Sequence, residues 1–326
     1  MALGNGQGQS DGHPARAVAR QAALLHAPTL AAHLHGVTTG LWTWTFPPQE
    51  PEQSSAPGAV EGTISTIAPS SDQQLPSSTS FHATLITSPA LLSASTRTRI
   101  FDLFQRNLQS SYELNDAWSP AQKKEEMFDL QGEGRWILLW ELSSEASQVE
   151  QGKEEADDRT LVGFILWRFD TEECTKEDWT EWEALRQRDA SSPAPAPPQK
   201  RVLPLPGAKR GPGGKGRLVV KRTKVERVLP VGYCYELAIS PSYSSTGLGF
   251  ALLSSLSLLS TQTGMRKVML TCWRCNTGAL RFYLQKCKGW EVDGISPRSV
   301  EEDEEDEIGT KAEERKGYVI LSLKCK

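Results

Sequence analysis

Residues 232–294 read GYCYELAISPSYSSTGLGFALLSSLSLLSTQTGMRKVMLTCWRCNTGALRFYLQKCKGWEVDG. A strand, a glycine-bearing turn, a long helix, a second strand and a second helix follow one another without slack. Leu248, Leu252, Leu256 and Leu259 recur on one helical face, and Gly264 suits a left-handed helix end. The spacing then predicts a strand over 267–272 and a helix over 277–288 that stops at Gly289. The turn Ser244-Ser245-Thr246-Gly247-Leu248-Gly249 opens directly into the first helix. Backbone amides there can wrap an anionic pyrophosphate, helped by the positive end of the helix dipole. Gly247 and Gly249 let that backbone approach closely.

Outward from this block, the pattern extends to an α/β fold with a mixed central sheet flanked by helices. Residues 81–86, 135–141 and 161–169 read as strands, and the polar stretch 143–159 as an extended hairpin loop. Ile100, Leu103, Phe104 and Leu108 fall at helical spacing within 95–112, and 121–128 is a charged helical turn or two. Residues 318–323 are expected to close the sheet. Residues 14–35 are Ala/Leu-rich and predict one or two helices, broken near Pro28.

The chain has 326 residues, 38% hydrophobic, with 26 Gly and 20 Pro. That composition predicts one packed domain over 80–326, preceded by an extension over 1–79. Residues 1–12, the Pro/Ser/Gln/Thr-rich linker 47–79, most of 171–230 and the polar stretch 298–316 are expected to be disordered. The insertion at 171–230 begins with an acidic, helix-compatible segment carrying Trp179 and Trp182. The net charge of −4 conceals a strong segregation. Residues 200–227 carry ten Lys and Arg against one acid, Glu226, and 301–307 are seven acids in a row. Such blocks are usually solvated loops. Lys209-Arg210 and Lys221-Arg222-Thr223-Lys224 stand ten residues apart, a spacing that suits a bipartite nuclear import signal. The same cations could track nucleic-acid phosphates weakly, without interleaved aromatics for base stacking.

No apolar run is long enough to span a bilayer, residues 1–12 lack the apolar core of a signal peptide, and the six cysteines form no dense framework. A reducing intracellular setting without membrane attachment is the expectation. All five histidines precede residue 83. This argues against Ser-His-Asp, Cys-His and His-Glu-x-x-His chemistry and leaves a carboxylate, a tyrosine or water as the base. Cys272 and Cys275 have no second pair at zinc-finger spacing, so no metal is expected, and Cys272 reads as a buried strand thiol.

Strand alternation sets Glu236 and Cys234 on one face and Tyr233 and Tyr235 on the other, unless a bulge re-aims the set. A carboxylate here reads either as a strand-end ion pair or as a base. Tyr233-Cys234-Tyr235-Glu236, the glycine turn and Lys267-Val268-Met269-Leu270-Thr271 together resemble the Gcn5-related N-acetyltransferase (GNAT) superfamily. Within it they resemble the NatD branch, the N-terminal acetyltransferases of histones. The resemblance covers the segments around 95–141, 161–170, 231–297 and 318–323. It implies acetyl-CoA as acetyl donor, histone N-terminal tails beginning Ser-Gly-Arg-Gly as substrate, nucleosome or ribosome as possible further partners, and a location in nucleus and cytoplasm.

Site roles follow from the same resemblance. Glu236 is the implied general base, acting through water, and Asp170, in Arg168-Phe169-Asp170, a second carboxylate that assists it or holds the substrate. Tyr112, Trp118, Tyr233, Tyr235, Thr271, Ser296 and Tyr318 would line the peptide side. The cofactor side comprises Leu237, Ala238 and Ile239, whose amides polarise the thioester carbonyl, the turn Ser244, Ser245, Thr246, Gly247, Leu248, Gly249 with Phe250, and Asn276 with Tyr283. Tyr283 would also protonate the leaving thiolate. Asn276 reads equally as the cap of its helix, and Tyr283 and Trp118 as packing residues. The turn departs from the superfamily pattern at Ser244, where Gln or Arg is usual.

Overall fold

The computed structural model describes residues 13–39, 42–46, 59–66, 80–129, 133–141, 159–191, 227–297 and 317–325. In chain order the elements are α1 (Pro14–Ala23), α2 (Ala27–Leu34), β1 (Thr38–Thr39), β2 (Trp42–Thr45), β3 (Ala59–Thr66) and β4 (Ser80–Ile86). They continue with α3 (Ala94–Leu114), α4 (Pro120–Asp129), β5 (Arg135–Glu141), β6 (Thr160–Glu173), α5 (Lys176–Ser191), β7 (Val228–Ile239) and α6 (Leu248–Gln262). The last are β8 (Lys267–Trp273), α7 (Thr277–Arg281) with a π-helical turn Phe282–Lys286, β9 (Glu291–Val292) and β10 (Tyr318–Lys324).

The strands form one sheet in the order β1-β2-β3-β4-β5-β6-β7-β8-β10-β9. Every pairing is antiparallel except β7 with β8. One face packs on α6 and α2 through Leu248, Leu252, Leu256 and Leu259 of α6 and Leu30 and Leu34 of α2, all without solvent exposure. The opposite face carries Phe101, Leu103 and Phe104 of α3 in one cluster and Trp182 of α5 in another. Trp42, Trp44, Trp136 and Trp167 are wholly buried.

The break between α1 and α2 falls near Pro28, as expected, and Pro28 itself sits in the first turn of α2, where a missing N–H costs nothing. Other expectations change. Strand β3 lies inside the stretch expected to be linker, and β1 to β3 extend the sheet beyond β4. Strand β6 runs on to Glu173, so the insertion starts later than residue 171. Strand β10 does not form the edge: β9 pairs outside it. The expectations for 1–12, the basic block 200–226 and the acidic run 301–307 lie outside the described residues.

Helix α5 is tied to the sheet by charge. The ammonium of Lys267, on β8, is buried and lies 2.7 Å from both Asp178 of α5 and Asp293 after β9. Thr175 completes the junction, with its hydroxyl accepting from the Asp178 amide at 3.2 Å and donating to the Asp178 carboxylate at 3.0 Å.

Candidate active site

Strands β7 and β8 run side by side only from Val231 with Lys267 to Cys234 with Leu270. Beyond that pair, β7 continues to Ile239 on β6 alone. Its backbone at 236–239 therefore has ladder partners on one edge only, and the other edge is splayed from β8. A bulge sits beside this opening: Cys234 pairs with Trp167 and Glu236 with Leu166, which leaves Tyr235 without an opposite residue. The extra residue breaks strict alternation. Cys234 packs into the α6 face, whereas Tyr235 and Glu236 both meet α3-side groups. Glu236 and Cys234 thus do not share a face, and the bulge is the reason.

The glycine turn stands at the mouth of the crevice. Gly247 caps α6 with φ +84°, Ser245 has φ +64°, and no side chain caps the helix. The first helical bond runs from the Ala251 amide to the Gly247 carbonyl, so the amides of Leu248, Gly249 and Phe250 have no partner within the helix. A Cβ on Gly249 would contact Ile239 and Phe282 at 3.6 Å, so the bare backbone keeps the space between the two walls open. This donor set suits a pyrophosphate, and the open edge of 237–239 suits an amide-bearing arm. The loop is held from outside: Thr246 donates its hydroxyl to the Tyr243 carbonyl at 2.7 Å, and the Trp42 indole donates to the Thr246 carbonyl at 3.0 Å. Ser244 is exposed. The Leu248 side chain is core, so only its backbone is available to a ligand.

Glu236 is 6% exposed and lies at the centre of a cationic and aromatic box. Its Oε1 accepts from Tyr112 at 3.1 Å and is 2.6 Å from the Lys123 ammonium of α4. That ammonium also lies 5.0 Å and 5.3 Å from the Tyr112 and Phe104 ring centres. Trp118 and Trp273 pack on Tyr112 at 6.3 Å and 5.3 Å. Burial pulls the Lys123 ammonium down, but the Glu236 carboxylate and the Tyr112 phenol together outweigh it and hold Lys123 above the ordinary lysine range. Burial and Glu236 likewise push the Tyr112 phenol up.

A second cluster lies along the same side of β6 and β7. The Tyr233 hydroxyl is 2.6 Å from the Thr271 hydroxyl, and the Tyr233 and Tyr235 rings are 5.1 Å apart. The Arg168 guanidinium covers the Tyr235 ring at 4.9 Å and pairs with Asp170, which also accepts from the Thr171 amide at 2.7 Å. Burial, and next the charge of Asp170, raise the Glu172 carboxyl to about 7. The ring of Trp273 packs on Tyr112 on one side and lies 6.4 Å from the Tyr318 ring on the other.

Glu236, Tyr112 and Trp118 thus converge on one box, and Tyr233, Tyr235, Thr271 and Asp170 on the neighbouring cluster. Others take different positions. Asn276 caps α7, its Oδ1 accepting from the Ala279 amide at 3.1 Å. The Ser296 hydroxyl accepts from the Ile320 amide at 3.0 Å. Tyr283 is buried on the π-helical turn, and burial, with Cys234 next, keeps its phenol protonated well above the ordinary range. Sequence reasoning missed Lys123, Trp273, Arg168 and Glu172. Lys123 could have been found from Met127, four residues on, which is buried on the same helical face.

Residues 216–290 match the model of the Acetyltransferase (GNAT) family. That span contains the splayed strands, the glycine turn and Glu236. The protein has the GNAT fold and is an acetyltransferase of GNAT type. Among solved structures it is similar to Tetrahymena GCN5 at 9% identity, over 72% of this chain and 90% of that one, with a TM-score of 0.34. PaiA N-acetyltransferase from Thermoplasma acidophilum in complex with coenzyme A is similar at 11% identity, over 74% and 98%, with a TM-score of 0.34. The NatC complex bound to Gag peptide and CoA is similar at 11% identity, over 70% and 92%, with a TM-score of 0.31.

Proposed function

We propose that the protein transfers acetyl from acetyl-CoA to the free α-amine of proteins beginning Ser-Gly-Arg-Gly, as histone four and histone two-A do, in the manner of NatD. The observation that carries this reading is the box around Glu236. A buried carboxylate oxygen and two aromatic rings, Tyr112 and Phe104, surround a primary ammonium there. Acetyl-CoA supplies the activated acetyl group, and the turn at 244–250 with the open edge of 237–239 holds it. Glu236 takes the proton that the substrate ammonium must lose, through water. Tyr283 is the proposed proton donor to the departing thiolate. Amides of 237–239 face the carbonyl oxygen as charge builds on it.

The carboxylates of Asp170 and the exposed Glu173, at the end of β6, suit the Arg and Lys of a basic tail. Histone tails, free or on the nucleosome or emerging from the ribosome, are the partners this reading names. Nucleus and cytoplasm are the locations, with 209–224 as the import signal and only weak contact to nucleic acid.

A second reading has its own support. The ammonium in the box is that of a lysine side chain, so lysine Nζ fits the space. Two peptides decide: one beginning Ser-Gly-Arg-Gly-Lys with a free amine, the other identical but blocked at its N-terminus. Labelling of the free peptide alone is the expected result. Equal labelling of both would mean lysine acetylation. No labelling alongside tight nucleosome binding would favour a chromatin-binding protein without catalysis.

A further inference from the structure

We infer that Lys123 is a built-in stand-in for the substrate's amine, which occupies the Glu236 box in the free protein and must be displaced for a peptide N-terminus to enter. This rests on the proposed function, because it takes Glu236 as the group that receives the amine.

Three observations carry it. First, the Lys123 ammonium lies 2.6 Å from Glu236 Oε1, and only 11% of its side chain is exposed. The aromatic faces of Tyr112 and Phe104 enclose the same ammonium. A carboxylate and two rings are what a peptide ammonium would use, and two cations cannot share one carboxylate oxygen in a buried space. Second, Lys123 has another partner within reach. Glu126, three residues along α4 and 38% exposed, lies 3.4 Å from the same ammonium. Rotation of one flexible side chain toward Glu126 would empty the box without stranding a charge. Third, the element that carries Lys123 is lightly held. On α4 only Met127 is fully buried among the described side chains, while Ala121, Gln122, Lys124 and Glu125 are exposed.

The device would do two things. In the free protein it keeps the buried Glu236 carboxylate paired. It also sets a threshold for entry: an amine competes for Glu236 only if it arrives as a cation, so an N-terminus already acetylated cannot displace Lys123. Lys123 is therefore a specificity-determining residue acting through Glu236, rather than a catalytic one.

The test uses the full chain saturated with CoA and the free-amine and N-terminally acetylated Ser-Gly-Arg-Gly-Lys peptides. Calorimetry on Lys123→Met is expected to give a Kd for the free peptide roughly tenfold below that of the unmodified protein, because the competing charge-assisted bond is gone. Lys123→Arg, which keeps a competing cation, is expected to stay within a few fold of it. In parallel, an amine-labelling reagent with mass-spectrometric readout is expected to modify Lys123 faster with the free peptide bound than with the acetylated peptide. Weaker or equal binding by a folded Lys123→Met, or unchanged protection of Lys123 in the free-peptide complex, overturns the inference. If Lys123→Met does not fold, the labelling arm on the unmodified protein decides alone. Absence of any free-peptide binding by the unmodified protein sinks the proposed function itself and the inference with it.

Discussion

Trp42 and Thr246, 204 positions apart, are joined by a 3.0 Å hydrogen bond from indole to backbone carbonyl. The N-terminal strands thus reach the glycine turn that opens into α6. Trp42 also packs on Phe81 at 5.5 Å, and Phe81 on Tyr243 at 5.3 Å, so both ends of the turn rest on one aromatic stack.

Trp42→Phe keeps the stack and removes the bond. It should cost about 1 kcal/mol and raise the KM for acetyl-CoA several-fold more than that for peptide. Gly247→Ala should act more strongly at the same place. Its φ of +84° is left-handed, at roughly 1–2 kcal/mol for a residue with a Cβ, and that Cβ would stand 3.4 Å from the Trp42 indole nitrogen. Steady-state kinetics with both substrates varied, alongside melting curves, separates a loop effect from general destabilisation.

Glu236→Gln should lower kcat by roughly 10²- to 10⁴-fold, the range a general base contributes. Acetyl-CoA affinity, measured by calorimetry, should stay unchanged, since the turn at 244–250 does not touch this carboxylate. Retained turnover would remove Glu236 from the role of base.

Glu172 gives a pH-dependent expectation. Its folded carboxyl titrates at about 7, above the ordinary 4.5, so the folded state prefers it protonated. The associated stability is fully present below the unfolded value and is lost as pH rises through about 7. Glu172→Gln mimics the protonated form. It should leave the melting temperature nearly unchanged near pH 4 and raise it by a few degrees at pH 8. Equal shifts at both pH values would count against this account.

Lys267→Met would strand the Asp293 carboxylate, whose side chain is 1% exposed. Removing one member of a buried pair costs roughly 3–5 kcal/mol. Denaturant titration should show a loss of that order, and adding Asp293→Asn should recover part of it.

The strand–turn–helix block was legible because its leucines repeat at the helical period and its glycines fall where the backbone turns. The leucine repeat from Leu248 to Leu259, with Gly264 beyond it, falls on α6. Strand β3 was not legible. Only Val60 and Ile64 of Ala59–Thr66 are buried apolar residues, and Gly62 stands where a Cβ would approach the Phe46 ring to 2.5 Å, a constraint visible only from the neighbouring strand. Tyr112 and Glu236 were readable as chemistry-bearing residues, but their direct bond depends on a bulge that residue types alone do not announce. Lys123 and Lys124 look alike on paper. Helical phase turns the first toward Glu236 and sets the second over the Phe101 ring at 4.6 Å.

The order of the sheet bears on how the chain is made. Strands β1 to β8 lie in space as they lie in sequence, so each can add to the one before it as the polypeptide leaves the ribosome. After β8 the pattern breaks, because its outer edge waits for β10, which comes later in the chain than β9. Until residues 318–324 arrive, β8 presents an open row of amides and carbonyls flanked by the apolar Val268, Met269 and Leu270. An unfinished chain would therefore hold Tyr112, Lys123 and Glu236 together with an adhesive edge. Premature termination just before Tyr318 should yield aggregate or degraded protein rather than a partly active enzyme.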